Sequence, residues 1–421
     1  MNKKNRLLYI YYLVLMIILA LYTNMSKSPN IIIRLAYLGA LLVPLLKQRE
    51  LLPVVLISAL GISYNTFAYP FMPTEDIYYI ILSVIFLILS LIHRKFRTSI
   101  NPLFIIILIY LTFSDLIFQG FFSNITFILF LFISFFFCTE SKIDKIIDVI
   151  PYSFIIISLS ISYWLLFCDE AQIRVFHSVG DMESTGWKDP NYLGFAVSAG
   201  LILSVNHLLK NKMSVLYIIN TVTVILSTVA LLELSSRGAL VAAALGILSL
   251  VTFTKTKLKI RLLVLGFIVI IVIFLFINQY FDLVIARFNA DDGTGSNRTT
   301  IWFSKIDAFI NDSSLLHWLF GHGQEAGFKM GTFKLSVTGS STHNDFISIF
   351  IYYGIIGVIL FIKAIIYPLS ICSSYIRGQI IALYIFLLVS SMTIEPLAQG
   401  NIVYLGFLFY IFQLARQSRK S

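Results

Sequence analysis

Two arginines and a histidine stand out because each borders or interrupts an otherwise apolar stretch. Arg298 opens Arg298-Thr299-Thr300-Ile301-Trp302, and Ile301, Trp302, Ile306, Phe309 and Ile310 recur at three- and four-residue intervals. That spacing predicts an amphipathic helix with Ser296 or Asn297 as its N-cap, able to lie across a membrane surface with Arg298 near the headgroups. A guanidinium fork there can hold a phosphate through two hydrogen bonds; the plainer alternative is a solvated first-turn charge. Arg237 lies in Glu233-Leu234-Ser235-Ser236-Arg237-Gly238 at the end of an apolar run, where an ionisable side chain is costly and usually functional or paired. Glu233, four residues earlier, offers a helical ion pair as the alternative. His343 sits in Ser341-Thr342-His343-Asn344-Asp345. An imidazole titrates at about 6.5 and can take a proton from a hydroxyl; the alternative is a structural histidine held by Asp345 or by a helix end.

Arg298 and His343 share the one long polar interval of the chain, residues 281–344, together with Arg287, Lys305, Lys329, Lys334, His317 and His322. Loops of that length are either functional or disordered, and the Trp, Phe, Leu and Ile within it favour order. Gly321-His322-Gly323 reads first as a turn. The three histidines lack metal-ligand spacing and no Asp-x-Asp pair accompanies them, so no metal is expected.

The rest of the chain reads as membrane. Of 421 residues 58% are hydrophobic and 12% charged, with a mean hydropathy of +0.89, a combination that belongs to an integral membrane protein. A net charge of +10 would suggest nucleic acid in a soluble protein. Here the basic residues punctuate apolar runs and act as orientation signals instead, so no nucleic-acid partner is expected. A spanning helix needs about 20 apolar residues. That length predicts an all-α protein with about 14 (12–14) transmembrane helices, near 7–23, 31–46, 51–71, 77–93, 101–118, 121–138, 146–168, 190–209, 213–235, 238–254, 262–280, 344–362, 379–394 and 400–415. The first is read as retained and not as a cleaved signal peptide. Cys138, Cys168 and Cys372 imply no disulfide framework.

With the N-terminus inside, every inner connection carries at least two Lys or Arg. The positive-inside rule then puts both termini in the cytoplasm and the 281–344 loop on the outer side of the cytoplasmic membrane. A second outer loop, 169–190, carries Arg174, His177, Asp181, Glu183, Trp187 and Lys188. Three regions follow: helices within 1–280, the large loop with short helices at 281–343, and about three helices within 344–421. No second copy of the long loop is visible, which weighs against inverted-repeat transporters.

Taken together, these residues resemble the O-antigen polymerase and O-antigen ligase superfamily of bacterial membrane glycosyltransferases. The resemblance rests on Ser236-Arg237-Gly238-Ala239, on Arg298 with Trp302, on Gly321-His322-Gly323, and on His343-Asn344 followed by Tyr353-Gly354-Ile355-Ile356-Gly357. It also rests on Trp187-Lys188-Asp189-Pro190-Asn191-Tyr192, similar to a stretch common in the polymerase branch. It implies a GT-C-like helical fold acting on undecaprenyl-diphosphate-linked glycans, without metal or other cofactor. Carried over, Arg237 and Arg298 would hold the diphosphate, with Arg287 in support. His343 would activate the acceptor hydroxyl, with Glu233 or Asp345 as alternative bases. Asn344, Trp302, Asp189 and Asn191 would line the glycan site. The physical chemistry agrees, since fixed cations stabilise a leaving diphosphate as the glycosidic bond breaks and such a group needs no protonation.

A polymerase passing the growing glycan to a new lipid-linked repeat unit is the leading expectation, with a chain-length-regulating co-polymerase as a partner inferred from the family. A ligase transferring the glycan to lipid A-core uses the same donor and is the nearest alternative; the Asp189-Pro190-Asn191 stretch favours the polymerase. A transporter of lipid-linked sugars would need charges lining a membrane path, and Asp115, near an outer end, is the one charge placed even partly within a span.

Overall fold

The apolar runs fold as helices in a computed structural model that describes residues 102–118, 150–167, 190–210, 215–279, 298–331, 341–398 and 401–420, with isolated positions at 11, 120, 123, 125, 126, 129, 147, 281, 282 and 285. The helices are α1 (Pro102–Phe118), α2 (Ile150–Phe167), α3 (Pro190–Lys210), α4 (Val215–Glu233), α5 (Arg237–Phe253) and α6 (Leu258–Ile277), then α7 (Arg298–Asp312), α8 (Leu315–Phe320), α9 (Gln324–Lys329), α10 (Asp345–Ile371), α11 (Arg377–Thr393) and α12 (Ile402–Lys420). Among the described residues there is no strand. Five helices (α2, α3, α6, α10 and the 216–233 part of α4) are long and apolar enough to cross a membrane, and α1, α5 and α11 are shorter apolar helices. The spans expected near 7–23, 31–46, 51–71, 77–93 and, apart from Ser123, Ile125, Thr126 and Leu129, 121–138 lie outside the described residues but for Tyr11.

The bundle is organised around α3, whose residues are buried along nearly the whole helix and which packs on α2, α4 and α5. Small residues allow the approach. A Cβ on Gly200 would lie 2.3 Å from Ser158 Cβ, and one on Gly246 would lie 2.7 Å from Ile202 Cδ1 and 3.0 Å from Phe386 Cβ. The α5–α11 contact follows the same logic through Gly238, whose added Cβ would stand 2.7 Å from Thr393 Cβ. By contrast α6 beyond Arg261 is apolar on every side and largely exposed, the signature of a helix that faces lipid.

The feature that ties the loop to the bundle is a break in α10. Gly354 has φ 62° and ψ −168°, so the helix runs as two pieces. The break frees backbone carbonyls of buried residues, which must find donors. They find them in the loop: His322 N–H donates to the Ile351 carbonyl (2.9 Å) and Gly323 N–H to the Tyr352 carbonyl (3.0 Å). Gly321 caps α8 at φ 80°, and the two backbones meet so closely that only glycine fits at either position. The Tyr110 hydroxyl from α1 donates to the Tyr353 carbonyl (2.5 Å). Tyr353 OH in turn lies 2.8 Å from Ser123 Oγ, which donates to the buried carboxylate of Asp115 at 2.7 Å.

The loop helices have their own core. Phe309 of α7 is fully buried against Phe350, Trp318 and His322 at centroid distances of 4.6, 5.2 and 5.4 Å. Beside it Lys305 is also fully buried and donates to the carbonyls of Gly327, Phe328 and Met330 at 3.0, 2.9 and 3.1 Å. Those acceptors are orphan carbonyls around the C-terminal end of α9, so the ammonium pins α9 to α7. Burial pushes the Lys305 amine down to about 8, with the charge of Glu395 pulling the other way. Lys305→Met keeps the stem and removes the ammonium. The variant is expected to lose about 2–4 kcal/mol of stability, measured as a lower melting temperature in detergent. A melt superimposable on wild type would show that the three carbonyls do not need Lys305.

Candidate functional site

The segment 341–344 is held by contacts that start from its own side chains. Asn344 is the N-cap of α10, its Oδ1 accepting from the N–H groups of Phe346 (3.0 Å) and Ile347 (3.3 Å), the role that residue type fills best. Before it, His343 takes φ 52°, a left-handed backbone that a non-glycine residue adopts only where its surroundings impose it. Two neighbours impose it. The Trp302 indole N–H donates to the Thr342 carbonyl (2.5 Å), and Glu395 receives the segment from the other side.

Glu395 lies between α11 and α12 at φ 74° and is fully buried. Its Oε2 accepts from the Ser341 hydroxyl and the His343 N–H (2.9 Å), and the Thr342 hydroxyl is 3.2 Å away. Its Oε1 accepts from the hydroxyls of Ser348 (2.6 Å) and Tyr352 (3.2 Å). Beside it, Asp345 is buried and its Oδ1 accepts from the Ala398 N–H (2.7 Å). Asp345, considered above as an alternative base, therefore ties α10 to the 395–398 turn.

The arginines reach this centre by two routes. Arg298 is the first residue of α7 and half-buried, one turn from the Trp302 that bonds Thr342. Arg237 is the first residue of α5 and half-buried. Its neighbour Gly238 packs on Thr393, two residues before Glu395. Ser236 donates to Asn191 Oδ1 on the first turn of α3 (2.9 Å), so Asn191 is brought beside Arg237. Glu233 is exposed at the end of α4. The chain turns through Ser235 at φ 47° before α5 begins, so Glu233 and Arg237 stand on separate helices and not one turn apart on the same one. Arg287 and Asp189 lie outside the described residues.

These contacts put the N-termini of α3, α5 and α10 and the 395–398 turn at one end of the bundle. The N-terminus of α12 joins them, since Asn401 N–H donates to the Pro396 carbonyl (2.8 Å). Helix N-termini carry partial positive charge and favour anions. Arg237 and Arg298 add planar guanidinium forks at that end, side chains suited to a phosphate-rich ligand. His343, Asn344, Asp345 and Trp302 form one cluster; Arg237 and Asn191 form a second, joined to it through Thr393 and Glu395.

His322 does different work. Its ring stacks on His317 at 3.9 Å and its Nε2 lies 2.6 Å from Ser313 Oγ. Burial pushes it down to about 4, the His317 charge adding to the effect and Asp312 opposing it. At neutral pH it is an uncharged partner that holds the turn. Among the described residues no group of three His, Cys, Asp or Glu is arranged to hold a metal ion.

Sequence reasoning missed Glu395. Its signal was nonetheless present: a lone carboxylate in Thr393-Ile394-Glu395-Pro396-Leu397, between two apolar runs, where an ionisable side chain is functional by default.

Residues 222–362 match the family model described as O-antigen ligase. That segment contains Arg237, Arg298 and His343 and supports placing the chain in the O-antigen polymerase and ligase superfamily. No curated protein matches the chain.

Proposed function

We propose, on the premise that the chain belongs with the O-antigen polymerases and ligases, that it is a polymerase. It would transfer a growing glycan from undecaprenyl diphosphate to a newly arrived undecaprenyl-diphosphate-linked repeat unit, without a metal. The observation that carries this reading is the juxtaposition of Arg298, Trp302 and His343 within the matched segment, beside helix N-termini that favour an anion. Arg237 and Arg298 hold the diphosphate, with Arg287 in support. His343 takes the acceptor proton on a ring nitrogen as the acceptor oxygen bonds to the anomeric carbon. The anomeric carbon–oxygen bond breaks and its electron pair leaves on the diphosphate. Charge grows on that leaving group in the transition state, which is where preorganised cations act. Asn344, Asn191 and Asp189 line the glycan path, while Trp302 acts by holding Thr342.

In this reading the chain is a GT-C-like protein of the bacterial inner membrane with about 14 spans. Both termini are cytoplasmic and the site is periplasmic, formed by the 281–343 loop against the helices of 1–280 and 344–421. A chain-length-regulating co-polymerase is its proposed partner. A ligase to lipid A-core is the second reading, favoured by the description of the matching family. The bond from Ser236 to Asn191 favours the polymerase, because it ties Asn191, which belongs to the stretch common in that branch, to the residue before Arg237. Deleting the gene separates the two. Loss of the polysaccharide ladder with single repeats still attached to lipid A-core is expected; loss of all attached glycan would make the chain a ligase, and an unchanged ladder would contradict both.

A further inference from the structure

We propose that Glu395 is the positioning residue of His343: its carboxylate fixes the backbone that aims the imidazole at the acceptor hydroxyl. The proposal rests on the reading of His343 as the group that takes the acceptor proton.

The argument begins with what Glu395 cannot do. Fully buried, it does not present its carboxylate to a glycan, so it acts through other residues. What it touches identifies them. Oε2 collects the Ser341 hydroxyl and the His343 N–H, the groups that bracket the left-handed turn at His343. Oε1 collects Ser348 and Tyr352, which lie on the first two turns of α10. One carboxylate therefore bonds both the segment that carries the imidazole and the helix that segment leads into. Tyr352 is also the residue whose carbonyl receives Gly323 N–H across the break in α10, so the same carboxylate links the His343 turn to the loop's docking point. Glu395→Gln keeps the shape but puts an NH2 on the Oε1 side, where the Ser348 and Tyr352 hydroxyls must turn to accept from it and the Tyr352 O–H loses the carboxylate it donates to.

The test uses full-length protein in nanodiscs with an undecaprenyl-diphosphate-linked repeat unit. E395Q is expected to lower kcat by about a hundredfold, the low end of what a positioned base supplies. The KM for the lipid-linked donor stays within about threefold, because the arginines are untouched. A double-mutant cycle separates positioning from general structure. In an H343A background E395Q should cost less than about twofold more if it acts through His343, whereas a second hundredfold loss would assign it a merely structural role and overturn the proposal. E395Q turning over within about twofold of wild type while H343A is slowed about a hundredfold or more would also overturn it, leaving the reading of His343 intact. An H343A variant that turns over within about twofold of wild type would instead overturn that reading and the proposal with it. Should E395Q fail to assemble, S341A removes one tie from the half-exposed side of the segment. It is expected to lower kcat several-fold at unchanged KM, and wild-type turnover would overturn the proposal.

Discussion

Arg298→Ala is expected to abolish polymer while the protein still inserts, accumulates and melts as wild type. The side chain is half-buried on the first turn of α7, whereas the residues that fix that helix, Lys305 and Phe309, lie two to three turns further on. Removing the guanidinium leaves the Lys305 and Phe309 contacts in place and removes a cation from the end of the bundle where helix N-termini gather. Deleting one preorganised donor at a developing oxyanion typically costs about 10²–10³ in rate, and a charged fork on a diphosphate belongs at the upper end of that range. Arg298→Lys should recover only part of the loss, because an ammonium cannot present two parallel N–H groups. A ladder of normal length and amount from the Ala variant would remove Arg298 from the diphosphate site.

The second large effect is structural and sits at Gly321. A Cβ there would lie 2.2 Å from the carbonyl carbon and oxygen of Tyr352 and 2.3 Å from Tyr353 N, all backbone atoms that cannot swing aside. The reciprocal position fares no better, since a Cβ on Gly354 would meet the Leu319 carbonyl at 2.5 Å. Gly321→Ala must therefore separate the loop from the break in α10, losing the hydrogen bonds to the carbonyls of Ile351 and Tyr352. Together with the strain of φ 80° on an alanine, the expected cost is about 4 kcal/mol or more. That is enough for the variant to be degraded in cells or to melt far below wild type. Gly266→Ala is the matched control, because nothing lies within 4 Å of its added Cβ, and it should be neutral. Equal stability of the two variants would refute the docking of Gly321 into the break.

The helices near 101–118, 146–168, 190–209, 213–235, 238–254, 262–280, 344–362 and 379–394 were legible because membrane helices announce themselves by length and apolarity, and the described structure has helices over each. The amphipathic helix from Arg298 was legible from its own periodicity. The break at Gly354 was not. The run around it is uniformly apolar, and what makes the break tolerable is a pair of N–H donors from His322 and Gly323, about thirty residues earlier. Periodicity carries no trace of a partner so distant in sequence. The expected span ending near 362 accordingly continues to Ile371, with Pro368 inside its last turns.

The candidate site shows the same division. Arg237, Arg298 and His343 could be singled out one by one, because charge in an apolar chain is conspicuous. Their relation could not, since it runs through groups that look ordinary in sequence. Ser236 bonds Asn191, Trp302 donates its indole N–H to a backbone carbonyl, and Glu395 gathers hydroxyls from four positions in 341–352. Asn344, expected at the glycan, is identified by its backbone contacts as a helix cap as well.

The most direct test of the central claim gives purified protein in nanodiscs only an undecaprenyl-diphosphate-linked repeat unit, in excess EDTA, and resolves the products by gel. A ladder of multiples, absent with Arg298→Ala, is the result expected of a metal-independent polymerase that works through this site. A single unreacted band that shifts only when lipid A-core is added would contradict the polymerase and identify a ligase.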